Sequence, residues 1–516
     1  MAHCTSDAIK LVCILKPIDA EQHTIQLTAG VNIIGRSKET RIRDMRCSKQ
    51  QLKLDVDFET CMIRLKVLGV NPSGVNGFMV MQNIECDLIH GDILEIVYGR
   101  NTFEIVFERP VDGESNSVDG LSKSAQIESK TLESCWDIIE DGKMLVFNTK
   151  GLKASAKIAG YDIDGTIIRT KSGKVFPRNC DDWQLNYPEV RTKLRGLYEE
   201  GYKICFFTNQ GGIAKGKVKL DEFKQKVINI QKKLGVPVQV FIAISNGFYR
   251  KPAPGMWQHL EEHKNNSVPI KLDRSFYVGD AAGRPDCGTG SKKRKKDHSL
   301  ADRLFAENIG VNFYTPEEHF IGATTEYFHK PEFEPRSIDD IKKPIFEPTT
   351  TKVPRDSCEL ILLVGLPGSG KSHFAQYHLQ PLGYRIFNAD TLGSIQACIA
   401  GCQKLLSEGH SCVVDNTNVD VQTRKKFIDL AKTQKVPCRC LIMNVGLPQI
   451  KHNIAYRQLV DTKHSKINDL VMNIMKKKYI EPTIIEGFEE IIRVNPKLHF
   501  DDDKFEKLYR LHLVEK

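Results

Sequence analysis

Ile158-Ala159-Gly160-Tyr161-Asp162-Ile163-Asp164-Gly165-Thr166 is an apolar strand that runs into two carboxylates and a glycine. Asp162 and Asp164 flank one residue, so an extended chain points both the same way. Gly165 permits a sharp turn after them. The first carboxylate can attack phosphorus and become an aspartyl phosphate. The second can protonate the leaving oxygen and then deprotonate the hydrolytic water. Asp and Gly are also turn residues, so the hexapeptide alone equally describes a surface turn. Its surroundings decide. The strands Ile204–Phe207, Val238–Ile242 and Phe276–Val278 alternate with helical stretches at 189–200 and 220–234. That alternation predicts an α/β unit with a mostly parallel sheet. Polar groups close these strands: Thr208, Asn209 and Gln210 supply a hydroxyl and amides, and Asp280 supplies a metal-binding carboxylate. Arg250-Lys251 adds a cation, and Asp302 is a candidate for a second metal-binding carboxylate.

A second phosphate signature lies downstream. The strand Leu360–Val364 leads into Gly365-Leu366-Pro367-Gly368-Ser369-Gly370-Lys371-Ser372 and then a helix-compatible run. Backbone N–H groups of such a loop wrap nucleotide phosphates, the lysine neutralises the β- and γ-phosphates, and the serine hydroxyl can ligate Mg²⁺. Asp390 and Asp415 end later strands, where one activates an acceptor hydroxyl and the other orders Mg²⁺ or the acceptor. Helix N-capping is the alternative for both, most of all for Asp415. Arg424 and Arg457 are candidates for positive charge on the transferring phosphoryl group, against the alternative of a solvated helix face.

Residues 1–108 carry many short β-branched runs separated by turn residues, the pattern of an all-β sandwich. Residues 109–140 are read as a flexible linker, 141–335 and 336–516 as the two α/β domains, with a Pro-rich, charged stretch at 331–354 between them. A chain of 516 residues suits roughly three domains. The 15 cysteines sit in apolar runs without zinc-like spacing, as reduced thiols of an intracellular protein do. The N-terminus carries no basic-then-apolar signal and no apolar stretch nears 18 residues, so secretion and membrane spanning are not expected. The net charge of +9 decides little. Two basic clusters, Lys215-Gly216-Lys217 and Lys292-Lys293-Arg294-Lys295-Lys296, can track an anionic backbone; the second also reads as a localisation signal or a solvated loop.

The DxDGT segment and the strand ends after it resemble the haloacid dehalogenase phosphatase superfamily. The resemblance implies one Mg²⁺ between Asp162, the Asp164 backbone and Asp280. Longer motifs go further: Gly-Asp-Ala-Ala-Gly-Arg-Pro at 279–285, Asn-Gln-Gly-Gly-Ile-Ala-Lys-Gly-Lys at 209–217, Asp-Thr-Leu-Gly-Ser at 390–394 and Val-Val-Asp-Asn-Thr-Asn at 413–418. In this order they resemble the animal polynucleotide kinase 3′-phosphatases. That family implies processing of DNA strand breaks, with a 3′-phosphate hydrolysed and a 5′-hydroxyl phosphorylated from ATP. It implies Asp162 as nucleophile, Asp164 as general acid and base, Thr208, Asn209 and Lys251 as phosphate contacts, and Lys215 and Lys217 as DNA contacts. Lys371 and Ser372 then bind ATP-Mg²⁺, with Asp390 as base and Asp415 and Arg457 in support. One departure stands out, because the residue before Asp390 is commonly Arg in the family and is Ala389 here.

The N-terminal sandwich resembles a forkhead-associated domain. Arg36, Ser48, Lys49 and Asn71 fall on its inter-strand loops and are the phosphothreonine-binding candidates, ordinary turn residues being the alternative. Lys49 stands where the family pattern has Arg, which keeps the charge and loses the planar fork. The implied partners are phosphorylated scaffold proteins of strand-break repair, the implied state is a monomer, and the implied location is the nucleus, with mitochondria as a further compartment. RNA-end healing, a kinase/phosphatase of a small metabolite and an inactive phosphopeptide scaffold are the competing readings.

Overall fold

The computed structural model describes residues 11–19, 22–108, 134–287, 294–340, 343–461 and 467–515. The N-terminal segment, most of the predicted linker and Lys292-Lys293 lie outside the described residues. The chain forms two compact units. One holds residues 1–250, 254–298 and 309–328; the other holds 251–253, 299–308 and 329–516.

In the first unit, a six-stranded and a four-stranded sheet form the N-terminal sandwich. Alternation drives it. Along Leu52–Asp57, Leu52, Leu54 and Val56 are buried while Asp55 and Asp57 face solvent, the period of a strand with one wet face. Cys13 and Leu15 of Val12–Pro17 and Ile63 and Leu65 of Met62–Val67 fill the same core. The loops after Gly30–Ile34 and Met62–Val67 carry the predicted phosphopeptide residues.

The same unit contains a seven-stranded sheet. Ile158–Tyr161 lies between Lys203–Asn209 and Phe276–Val278, parallel to both, and Gln239–Ala243 and Asn312–Tyr314 extend the parallel part. Ile158–Tyr161, Lys203–Asn209 and Gln239–Ala243 are buried on both faces, which is why they read as unbroken apolar runs, whereas the edge strand Asn312–Tyr314 is largely exposed. Met144–Asn148 and Cys135–Ile139 add an antiparallel edge. The strand Cys135–Ile139 falls inside the stretch expected to be linker to residue 140. Trp136 stacks on Phe147 with ring centroids 4.6 Å apart, so this end of the linker has an apolar partner and pairs.

The second unit is built on a six-stranded sheet in which Leu360–Val364 lies between Cys412–Val414 and Cys438–Met443, all parallel. Phe346–Glu347, from the Pro-rich stretch, pairs antiparallel at the edge. In both α/β sheets the signature loop follows a central strand whose neighbours lead away on either side. Such a switch point opens a crevice at the carboxyl ends of the strands.

Candidate active sites

In the first unit the DxDGT loop leaves the sheet at Tyr161. The Asp162 amide donates to the Val278 carbonyl at 2.9 Å, tying the loop to the strand that ends just before Asp280. Carboxylate oxygens of Asp162 and Asp280 lie within 4.8 Å of each other, with Asp162 buried. Two hard oxygen donors at this separation fit a small divalent cation. Gly165 takes φ +87°, and a Cβ there would sit 2.5 Å from Asp280 Oδ2, so the loop and the second carboxylate are packed against one another.

Thr208 is buried at the end of Lys203–Asn209, beside Asn209. The Gln210 amide, at the same strand end, donates to Asp164 Oδ2 at 2.8 Å and to Thr208 Oγ1 at 2.9 Å. Lys226 Nζ donates to Asp164 Oδ1 at 3.0 Å. Sequence reasoning missed Lys226. The signal was there: helix Leu220–Leu234 buries Phe223, Lys226, Val227, Ile230 and Leu234, a lysine within an apolar stripe. Lys215 and Lys217 are exposed on the turn before that helix. Arg284 is buried and bound by Asp297 and Glu317, a structural use of a motif residue.

Lys251 and Asp302 belong to the second unit and form a buried ion pair at 2.6 Å. The phosphate-contact candidate and the second metal-carboxylate candidate therefore engage each other.

Also in the second unit, the P-loop joins Leu360–Val364 to a helix beginning at Lys371. Gly368 and Gly370 take φ +83° and +85°, conformations that favour glycine. Lys371 Nζ is folded onto its own loop, 3.0 Å from the Gly365 and Leu366 carbonyls. Burial pulls its ammonium down to about 8, with Arg457 pushing the same way and Asp415 and Asp390 opposing. A cavity of about 1300 Å³ opens beside the loop, lined by Ser372, Asp390, Asp415 and Arg457 among others.

Asp390 is exposed in the first turn of a short helix whose cap is Asn388: the Asn388 side-chain oxygen accepts from the Asp390 amide at 2.8 Å. The Ala389 amide donates to Asn416 Oδ1 at 2.8 Å, linking the two strand ends. Asp415 caps no helix. The helix that follows it, Val421–Gln434, is capped by Asp420. Asp415 is buried and its Oδ1 has no hydrogen-bond partner among the described residues, which fits a group that receives a metal or its water. Burial lowers the Arg457 guanidinium from its ordinary value, while Asp461 and Asp390 act the other way. Arg424, weighed as a phosphate contact, is fully buried and held by both oxygens of Glu486 at 2.7 and 2.8 Å, with further bonds to the Asn418 and Ile480 carbonyls. Its donors are committed to the fold.

In the sandwich, the Arg36 amide donates to the Ser48 carbonyl at 2.9 Å and its Nε to the Cys47 carbonyl at 3.2 Å. Asn71 Nδ2 donates to the Arg46 carbonyl at 2.7 Å. Gln51 is wholly buried: its Nε2 donates to the Asn71 carbonyl and its Oε1 accepts from the Ser48 amide. The candidate loops are thus cross-linked at one end of the sandwich, with Lys49 and Asn71 exposed.

Three stretches of the chain are similar to known families. Residues 13–82 match the FHA domain family, residues 157–320 the polynucleotide kinase 3 phosphatase family, and residues 392–482 an AAA domain family. The chain is similar to the bifunctional polynucleotide phosphatase/kinase of Schizosaccharomyces pombe, at 33% identity over 74% of this chain and 89% of that protein. It is 41% identical to the polynucleotide 3′-phosphatase ZDP of Arabidopsis thaliana over 34% of this chain and 25% of that protein. Among solved structures it is similar to the FHA domain of human APLF, crystallised with an XRCC1 bisphospho peptide, at 25% identity over 18% of this chain and 97% of that one, with a TM-score of 0.17. The length and identity of the first of these matches mean that the chain belongs to the bifunctional polynucleotide phosphatase/kinase family.

Proposed function

We propose that this chain repairs the ends of broken DNA strands by two separate reactions. At the first site Asp162 attacks the phosphorus of a 3′-phosphate, and Asp164 gives a proton to the departing sugar oxygen, then takes one from the hydrolytic water. Thr208 and Asn209 hold the phosphoryl oxygens. Mg²⁺ held by Asp162, the Asp164 backbone and Asp280 would offset phosphate charge there. At the second site the P-loop and Lys371 hold ATP, Asp390 draws the proton from a 5′-hydroxyl, and Arg457 counters charge on the transferring group. Ser372 and Asp415 would hold the Mg²⁺ that accompanies ATP.

The observation that carries this reading is that one chain of this family holds both constellations, each at the switch point of its own sheet. Two opposite phosphoryl transfers on one hydroxyl would cancel, whereas a break offers two different hydroxyls. Lys215 and Lys217 provide exposed charge beside the first site for the strand. The sandwich recruits the protein to phosphothreonine-bearing scaffold proteins through Arg36, Ser48, Lys49 and Asn71. The protein works in the nucleus as a monomer.

A gapped duplex with a 3′-phosphate and a 5′-hydroxyl, incubated with ATP and Mg²⁺, tests the reading. Asp162→Ala abolishes dephosphorylation alone, and Lys371→Ala chiefly impairs phosphorylation. Loss of both activities from either change in a folded protein would sink the two-site assignment.

A further inference from the structure

The Asp164 side chain is half exposed and stands on a turn, yet both of its oxygens are occupied by donors from different elements. Oδ1 receives Lys226 Nζ from helix Leu220–Leu234, and Oδ2 receives Gln210 Nε2 from the end of Lys203–Asn209. Gln210 also donates to Thr208 Oγ1, which fixes its amide against the buried strand end. Lys226 is only 7% exposed and occupies a core position of its helix. Placing an ammonium there carries a desolvation cost that a hydrophobic residue would not. A helix needing only packing at this position would carry an apolar side chain.

We propose that Lys226 and Gln210 are positioning residues that hold the Asp164 carboxyl group over the bond that breaks. The proposal rests on the phosphatase reading above. In the first step an Asp162 oxygen bonds to phosphorus, the bond from phosphorus to the 3′-oxygen breaks, and its electron pair leaves with that oxygen, which takes the Asp164 proton. In the second step water gives a proton to Asp164 as its oxygen bonds to phosphorus, and the bond to Asp162 breaks to release inorganic phosphate. A carboxyl group keeps acceptor capacity whether or not it is protonated, so the two donors hold it through both steps. Without them an exposed side chain samples several rotamers, and a shift of about 1 Å in a reacting group costs on the order of 10²-fold in rate.

The leaving group provides the test. A sugar oxygen needs a proton as it departs, whereas the phenolate of an activated aryl phosphate does not. In the full-length protein, Lys226→Met is expected to lower kcat on a 3′-phosphorylated oligonucleotide by about 10- to 100-fold with KM little changed. On the aryl phosphate the loss shrinks by about tenfold or more. Lys226→Arg recovers part of the rate, and Gln210→Ala, which leaves the buried ammonium paired, gives the same pattern with a smaller loss. Equal losses on both substrates, or no loss, would overturn the proposal. If Lys226→Met removes the thermal unfolding transition of its unit, the Gln210→Ala pattern decides alone. Asp164→Asn, run beside them, separates the two levels. Should Asp164→Asn keep full oligonucleotide activity, the acid–base reading itself fails; should it show the leaving-group pattern while the Lys226 and Gln210 variants do not, only their positioning role fails.

Discussion

At Gly165 the backbone turns with φ +87°, and the space a Cβ would need is taken by the Asp280 carboxylate. A side chain there meets two costs at once: the left-handed conformation, about 1 kcal/mol or more, and displacement of a candidate metal-binding group. Gly165→Ala is therefore expected to lower 3′-phosphatase activity by about 100-fold or more while 5′-kinase activity on the same preparation stays unchanged. A wild-type phosphatase rate would mean that Asp280 is not held by this packing. Lys371 gives a pH prediction at the same scale. Burial brings its ammonium down to about 8, so in the nucleotide-free protein the charge is present below that pH and is lost above it. ATP binds the charged form. Its affinity should fall as pH rises through 8 to about 9, and binding in that range should take up a proton. Calorimetry in two buffers of different ionisation enthalpy reads that uptake as a difference between the observed heats; identical uncorrected heats would contradict it.

Among the elements, helix Leu220–Leu234 has two attachments beyond its own packing. Lys226 reaches Asp164, and Lys233, about two turns further along, pairs with Asp92 of the N-terminal sandwich. Asp92 is wholly buried and also meets Arg191 of helix Val190–Glu199 at 2.8 Å. Burial alone would raise the Asp92 carboxyl; Arg191 and Lys233 outweigh it and bring it to about 2. Asp92 further accepts the Ile89 amide and the Asn76 side chain within the sandwich. Removing one member of such a pair strands the other charge. Asp92→Ala is expected to destabilise this unit by about 3–5 kcal/mol, seen as a lower urea midpoint. An unchanged midpoint would mean that the pair adds nothing in solution.

Over the whole molecule, the two phosphate signatures stand on two separate sheets, and each sheet places its signature loop where its strand order reverses. Much of this was legible beforehand, for a local reason. A strand followed by DxDGT or by a P-loop carries its geometry in consecutive residues, through the period of two along a strand and the dihedral freedom of glycine. The same holds for the alternation in Leu52–Asp57 that forecast the sandwich. What was not legible depended on residues far apart in the chain. Arg424 looked like a free cation until Glu486, 62 residues away, took its Nε and Nη2 donors and the Asn418 and Ile480 carbonyls took Nη1. Cys135–Ile139 looked like linker until Phe147 gave Trp136 a stacking partner. Gln210 read only as a polar residue closing a strand until Asp164 claimed its amide. By itself, then, the sequence determined which chemistries the chain carries, because catalytic carboxylates and phosphate loops are written into short stretches. Only the tertiary structure decided which polar side chains are committed to the fold. Burial and pairing are settled by the packing of distant segments, and a charge buried there must find a partner wherever the packing offers one.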